Sequence, residues 1–356
     1  QRDYSSRFSS AANQAYRIDP NGQSVTYSSA LSSSGGMLTL LGSGTLTLSG
    51  ANTYSGGTAI DAGTLALGSS GALGSSGTIS FGGGTLQFST SNTTDYSSRF
   101  SSAASQAISL DTNSRNVTLA SSLSSVGGSL VKTGLGTLTL SGSNSYTGST
   151  RVDRGTLALA NTQALSGSTL DMASGDSGFV SFTVVGTNTY SFGGLQGSRN
   201  LAVGVNTLAI GGNGESTTYS GVLSGSGAIV KTGAGTLTLS GSNTYSGGTT
   251  IAGGTLELGS TGALGSNGTI GFSGGTLQFS AANTTDYSSR FSSDANQSMS
   301  FDTNGQNVTL ASALTSSGGS LVKAGSGTLT LAGANSYSGG TTVSAGSLVG
   351  TSTSLQ

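Results

Sequence analysis

The sequence predicts an all-β protein, a parallel β-solenoid built from ~92-residue cassettes. Three observations carry that expectation. Thr236-Leu237-Thr238-Leu239 and Thr255-Leu256-Glu257-Leu258 alternate polar and apolar residues with period two, as half-buried strands do. The pattern returns at near-constant spacing: Thr236 and Thr255 are 19 residues apart, and Thr276-Leu277-Gln278-Phe279 starts 21 residues later. Ser-Gly, Gly-Gly and Asn lie between the strands and turn the chain at little steric cost.

A larger period is superposed on the first. Tyr54, Tyr146, Tyr245 and Tyr337 occupy matching Asn-x-Tyr-Ser/Thr-Gly contexts spaced by 92, 99 and 92 residues. Residues 55–96 and 246–287 are near-copies, so a cassette of ~4 coils is duplicated along one continuous solenoid spanning 1–356. The expected divisions are a partial cassette at 1–36, cassettes at 37–128 and 228–319, a variant cassette at 129–227, and a partial cassette at 320–356. At ~22 residues per coil and ~4.8 Å per strand spacing, the stack is ~16 coils and about 80 Å long.

In chain order, 1–36 carries Asp-Tyr-Ser-Ser-Arg-Phe (3–8), which recurs at 95–100 and 286–291. Asp19-Pro20-Asn21-Gly22 and its counterparts at 111–114 and 302–305 are turn chemistry leading into a strand. Val25, Val117 and Val308 are expected inward, with Thr26, Thr118 and Thr309 outward. Ile79, Phe81, Leu86 and Phe88 form the inward set of the next coil. Residues 152–234 lack the Asp-Tyr-Ser-Ser-Arg-Phe element but keep the coil rhythm in TLDMA, FVSFTVV, NLAVG and NTLAIGG. This is a second cassette type, seven residues longer, rather than a separate domain. Leu46, Leu48, Leu138, Leu140, Leu237, Leu239, Leu329 and Leu331 point into the interior, so Leu237→Asp is expected to be costly and Thr238→Asp nearly silent.

Composition narrows the function classes. Of 356 residues 61 are Gly, and there is one Pro with no Cys, His or Trp. A 7% charged fraction and a net charge of −1 resemble a low-complexity linker, but a linker has no reason to keep strand alternation. No basic stripe for nucleic acid is present, nor a Lys/Arg-rich amphipathic segment for a membrane surface, nor an apolar run near the ~20 residues that span a bilayer. Without Cys the chain has no disulfides or thiolate sites, and can cross a secretion pore without premature crosslinks. It shows no signal peptide and opens on Gln1, which is expected of a processed protein or a piece of a longer one.

GTLTLSGxNxYSGGTxIxxGTLxLG at 44–68 and 235–259, with variants at 136–159 and 327–349, resembles the autotransporter-associated β-strand repeat of bacterial passenger proteins. YSGVLSGSGAIVKTGAGTLTLSG at 219–241 is similarly typical, so the resemblance extends over nearly the whole chain. It implies a right-handed parallel β-helix at the bacterial cell surface, secreted and processed, serving as a non-catalytic stalk or adhesin. Passenger domains normally precede a membrane β-barrel, and this sequence contains none.

Chemistry is sparse. The lack of His removes the usual Ser-His-Asp arrangement and the commonest nitrogen ligand. Carboxylate hydrolysis needs two acids ~5–10 Å apart, and the candidates are Asp171 with Asp176, and Asp153 near Arg151 and Arg154. Asp153 shares a face with both arginines if strand parity runs through Arg154. The Asp and Arg four apart in 3–7, 95–99 and 286–290 are read as local ion pairs fixing a bulged coil, or as a repeated contact to a ligand or neighbour. Gly211-Gly212-Asn213-Gly214-Glu215 is the nearest match to a calcium-binding repeat and lacks its Asp. A Thr-x-Thr ice-binding array breaks at Glu257 and Gln278. Asn52, Asn144, Asn243 and Asn335 recur once per cassette and are assigned to turn backbone groups.

No catalytic, metal or cofactor site is therefore expected. Neither end reads as a polar cap, so coil-on-coil stacking into a head-to-tail homopolymer is the leading expectation, with membership of a longer parent chain beside it. An adhesin passenger binding surface glycans is the alternative, and a polysaccharide-degrading β-helix a more distant one.

Overall fold

The computed structural model describes residues 3–74 and 76–351, and is a parallel β-solenoid of about 16 turns. Gln1 and Arg2, at which the first partial cassette opens, and the Ser/Thr tail from 352 to 356 lie outside the described residues. Two compact units form, one from residues 1–168 and 175–184, the other from 169–174 and 185–356. Among the described residues no α-helix occurs, and so no helix long and apolar enough to cross a membrane.

In the first unit each coil contributes two short strands joined by a tight turn, then a loop that returns the chain to the next level. Met37–Leu40 and Thr45–Leu48 are one such pair, Gly57–Ile60 and Thr64–Leu67 the next. The first strand of each pair stacks on the first strand of the next, and the second on the second. Leu46 thus lies over Leu65 and Leu65 over Leu86. Leu40, Ile60 and Phe81 form the matching apolar column on the other strand face. A one-residue slip would turn each of these side chains outward, so burial of one face specifies the register. Ile79, Phe81, Leu86 and Phe88 are all buried, as their parity requires. Val117 is buried, while Val25 is half-buried beside an exposed Thr26.

The second unit repeats this plan. Thr236, Thr255 and Thr276 are stacked register partners, as are Leu237, Leu256 and Leu277. All eight leucines expected inside are at most 1% exposed. The segment lacking the Asp-Tyr-Ser-Ser-Arg-Phe element also forms coils, with strands at Leu201–Gly204 and Thr207–Ile210 where the rhythm places them.

Turns follow the residues that make them. Asp19, Asp111 and Asp302 each accept the N–H two residues on through Oδ1, at 2.7, 2.7 and 2.8 Å. The asparagines that donate, Asn21, Asn113 and Asn304, sit at positive φ of 51°, 46° and 47°, a conformation Asn tolerates better than most residues. Elsewhere coils approach so closely that only glycine fits: a Cβ on Gly241 would lie 2.0 Å from the Gly221 carbonyl oxygen of the coil beside it.

Candidate functional site

Polar side chains recur where one coil meets another. The recurring asparagines act there. Asn243 Oδ1 accepts the Leu223 N–H at 2.8 Å from the preceding coil, and its Nδ2 donates to the Ala263 carbonyl at 2.8 Å in the following one. Asn52 bridges Leu31 and Ala72 in the same way, and Asn144 bridges Leu123 and Ala164. Asn335 accepts from Leu314 N. Each is buried, so the amide fills backbone valences that water cannot reach. The expectation that these residues satisfy backbone groups holds, with the addition that one side chain ties three successive coils.

Two residues after each asparagine stands a buried tyrosine. Tyr54, Tyr245 and Tyr337 hydroxyls pair with Thr58, Thr249 and Thr341 at 2.7, 2.7 and 2.6 Å. Burial pushes the Tyr54 and Tyr245 phenols up to about 12, so they stay neutral.

Sequence reasoning passed over the lysines of the Val-Lys-Thr/Ala-Gly turns. Lys132, Lys231 and Lys323 are at most 1% exposed and lie in interior columns; Lys231 stacks between Ile210 and Ile251. Lys231 Nζ donates to the carbonyls of Thr232, Gly233 and Gly253 at 2.5, 3.0 and 3.1 Å. Lys132 and Lys323 are each held by three equivalent carbonyls. Burial lowers Lys132 and Lys231 to about 8, and lowers Lys323 as well. The signal available in the sequence was a Lys at an inward-facing parity position. In the first cassette Leu40 takes that place.

The Asp-Tyr-Ser-Ser-Arg-Phe element overturns an expectation: its Asp and Arg do not pair with each other. A single 3-10 turn, Ser97–Arg99, points them at different coils. Asp95 Oδ1 accepts from Ser97 N and Oδ2 from Ala120 N, both at 2.8 Å, reaching the coil that follows. Arg99 reaches the coil before, where its guanidinium donates to the carbonyls of Leu73, Gly74, Ser76 and Gly77 at 2.6–3.1 Å. Asp286 and Arg290 repeat both sets, with Arg290 on Leu264, Gly265, Asn267 and Gly268. An exposed ion pair is worth under about 1 kcal/mol, whereas several charge-assisted bonds to carbonyls are individually stronger, so the Arg leaves its Asp. In the first copy Asp3 accepts from Ser5 N, Ser28 N and the Ser28 hydroxyl; these bonds, the hydroxyl foremost, hold its carboxyl well below the usual range.

A family model described as the passenger-associated-transport-repeat matches residues 38–67, 130–159, 229–258 and 321–349. Each match begins on the strand that carries the inward Lys, or Leu40, and runs through the asparagine and tyrosine just described. Four segments of this chain thus match the passenger-associated-transport-repeat model. A stretch of 106 residues is 38% identical to the "Adhesin BmaC autotransporter" of Brucella suis biovar 1 (strain 1330), covering 29% of this chain and 3% of that protein. No solved structure matches the chain.

Of the candidate acids, Asp171 and Asp176 lie outside the matched repeats, while Asp153 lies inside one. Arg151 Nε and Nη2 donate to the two Asp176 oxygens at 2.8 and 2.6 Å, and Nε is also 3.0 Å from Asp153 Oδ1. One guanidinium therefore holds both carboxylates, which suits a structural tie better than acid–base work on a sugar. Arg154 does not share that face: Ser149–Val152 ends before Asp153, and the chain turns through Gly155 at φ 70°. The Arg154 carbonyl instead accepts from Lys132. Asp171 belongs to the other unit and is half-buried on its strand.

At the Gly-rich 211–215 loop, the Glu215 carboxylate accepts from Asn213 Nδ2 at 3.2 Å and from the Thr169 hydroxyl at 3.4 Å. Among the described residues no group of three or more acidic side chains could hold a metal ion. The Thr-x-Thr column breaks where the sequence said it would, with Thr238 donating to the Glu257 carboxylate at 2.6 Å.

Proposed function

We propose that this chain is part of the passenger region of a bacterial autotransporter-type surface protein, a non-catalytic solenoid that carries adhesive function outside the cell. The observation that carries the reading is the fourfold passenger repeat, each copy set on the same pair of coils and closed by the same asparagine and tyrosine. The similarity to an autotransporter adhesin supports it, although the chain spans only 3% of that protein's length. A stack held by backbone bonds and buried amides needs neither disulfides nor metal, which suits export of an unfolded chain followed by folding outside.

Antibodies against this segment should label intact cells that express the native protein, and external protease should remove the label. Label that appears only after permeabilisation sinks the reading. Incubation with neutral and acidic polysaccharides should release no oligosaccharides, since Asp153 and Asp176 are both engaged by Arg151. Turnover lost in Asp176→Asn would reverse that conclusion.

A second reading is coil-on-coil stacking of copies into a filament. It is favoured because successive coils meet through the same parts, a parallel backbone ladder and an asparagine clamp, which a second copy could supply equally well. Sedimentation of the concentrated protein distinguishes it, a strictly monomeric species counting against it.

A further inference from the structure

The second unit carries a groove of about 350 Å³ on its outer surface, continuous with a shallower one of about 430 Å³. The two share Thr269, Ser292 and Asp294, and the deeper part is floored by Thr250, Gly271 and Gln297. We propose that this groove binds a neutral, hydroxyl-rich saccharide of one or two rings, with Asp294 and Gln297 as its main polar contacts. The proposal rests on the passenger reading and gives its adhesive function a location.

Three features point to such a ligand. The groups facing the groove combine acceptor, donor and hydroxyl functions with unspent capacity. Gln297 Oε1 is fixed by the Phe272 N–H at 2.7 Å, which leaves the two Nε2 donors for a ligand. The Asp294 carboxylate is exposed and has no partner among the described residues, while its own N–H is taken by Ser292 Oγ at 3.1 Å. A carboxylate and an amide side by side can bind adjacent sugar hydroxyls, one accepting and one donating. The half-buried Phe291 adds an apolar wall of the kind a sugar ring packs against.

Second, no side chain stands at Gly271 in the deeper part of the groove. A Cβ on Gly271 would stand 3.6 Å from Gln297 Oε1 and 3.9 Å from Thr250 Oγ1, on the groove floor and in ordinary contact. The near-copy in the first unit has Ser80 at that position and Ala103 in place of Asp294. The first unit keeps a groove of about 770 Å³ at the place equivalent to the shallower part, lined by Arg99, Phe100 and Ala103. The fold therefore accepts either residue, and what sets the second unit apart is the glycine and the carboxylate. Third, the donors of the adjoining Arg290 guanidinium are spent on four carbonyls, so the groove offers an anionic sugar no free cationic donor, and the acceptor it presents is the exposed Asp294 carboxylate. A volume of 350 Å³ falls at the lower end of small-ligand sites, about 300–1,000 Å³, which suits a mono- or disaccharide.

The test is binding of the whole 356-residue chain to a printed array of multivalent mono- and disaccharides, neutral and anionic, followed by titration calorimetry with the best neutral sugar. Wild type should bind neutral members. Asp294→Ala and Gly271→Ser, each installing the first unit's residue, should weaken binding at least tenfold with an unchanged thermal midpoint. Ser80→Ala in the first unit should leave binding unaltered. No binding by wild type, binding confined to anionic sugars, or full affinity in both second-unit variants overturns the proposal. Each of those results is compatible with positive surface labelling of intact cells, so the site can fail while the passenger reading stands; absent labelling would remove the reading instead.

Discussion

Replacing Asn243 with Ala should cost far more than the loss of one surface amide. Asn243 is 5% exposed and meets two backbone groups, the Leu223 N–H and the Ala263 carbonyl, each at 2.8 Å in a different coil. Truncation leaves both without a partner in a place water does not reach. An orphaned buried group costs about 1–3 kcal/mol, so the pair comes to about 2–6 kcal/mol before any cavity cost is added. In a solenoid that loss falls on two adjacent interfaces, where stability is the sum of nearest-neighbour contacts. Urea denaturation followed by far-ultraviolet circular dichroism is the assay, and the midpoint should fall by roughly 1 M or more. Asn243→Asp gives a second, signed readout. Its oxygen still accepts from Leu223, but an ionised carboxylate cannot donate to Ala263, so burial raises its folded pKa above the ordinary value near 3.9. Stability from the protonated form is present below the unfolded pKa and lost as pH rises through the folded one. The gap to wild type should therefore be small near pH 4 and grow toward neutrality. An unaltered midpoint for the Ala variant, or a penalty for the Asp variant that does not grow with pH, would refute the three-coil tie.

Further outcomes follow from the same contacts. Leu237→Asp places an unpaired charge at a 1% exposed site and should cost several kcal/mol, whereas Thr47→Asp, opposite Ala66, should change the midpoint little; equal loss in both would contradict the register. Thr238→Asp is not a silent control, because Thr238 donates to Glu257 and two carboxylates would then face each other. Arg290→Lys should lower thermal stability measurably despite keeping the charge, since an ammonium cannot span the four carbonyls that the guanidinium reaches; a wild-type melting curve would show the cradle to be incidental. Lys231→Leu, which installs the residue found naturally at Leu40, should be destabilising, and the deficit should depend on pH. With a folded pKa of about 8 against 10.5 for the free side chain, the unfolded chain binds more protons between those values. Wild type therefore gains stability relative to the variant as pH rises through that window, and loses it as pH falls through 8. A gap that closes at high pH would mean the three carbonyls retain the proton more strongly than burial expels it.

The strands and their facing were legible because period-two alternation records burial directly: Leu46, Leu237 and their equivalents could hardly be placed otherwise. The asparagines and tyrosines were visible as recurrences, but which backbone groups they reach depends on residues some 20 positions away, and no local pattern encodes that distance. Lys132, Lys231 and Lys323 were hidden because lysine normally signals solvent, and only the three carbonyls around each Nζ make its burial tolerable. The Asp and Arg of the Asp-Tyr-Ser-Ser-Arg-Phe element misled for a related reason. Their spacing suits a pair, while the turn at Ser97–Arg99 sends them to opposite neighbours. The groove is invisible in sequence, since Thr250, Gly271 and Gln297 are brought together only by the stacking of coils some 20 residues apart.

A chain of near-identical coils faces a hazard that ordinary domains do not: any coil can settle on the wrong neighbour with its leucines still buried. Hydrophobic matching cannot reject that error, because the mistaken partner has the same alternation. The two-directional grip of Arg99 and Asp95 can. Arg99 meets its four carbonyls on the coil bearing the Leu-Gly-Ser-x-Gly loop, and Asp95 reaches forward to the Ala120 N–H of the coil that follows. A stack displaced by one level leaves a guanidinium and a carboxylate facing backbone that cannot receive them. These few charged residues thus act as a counting device, marking one level in each cassette that carries the element, so that a monotonous sequence is wound to a single address.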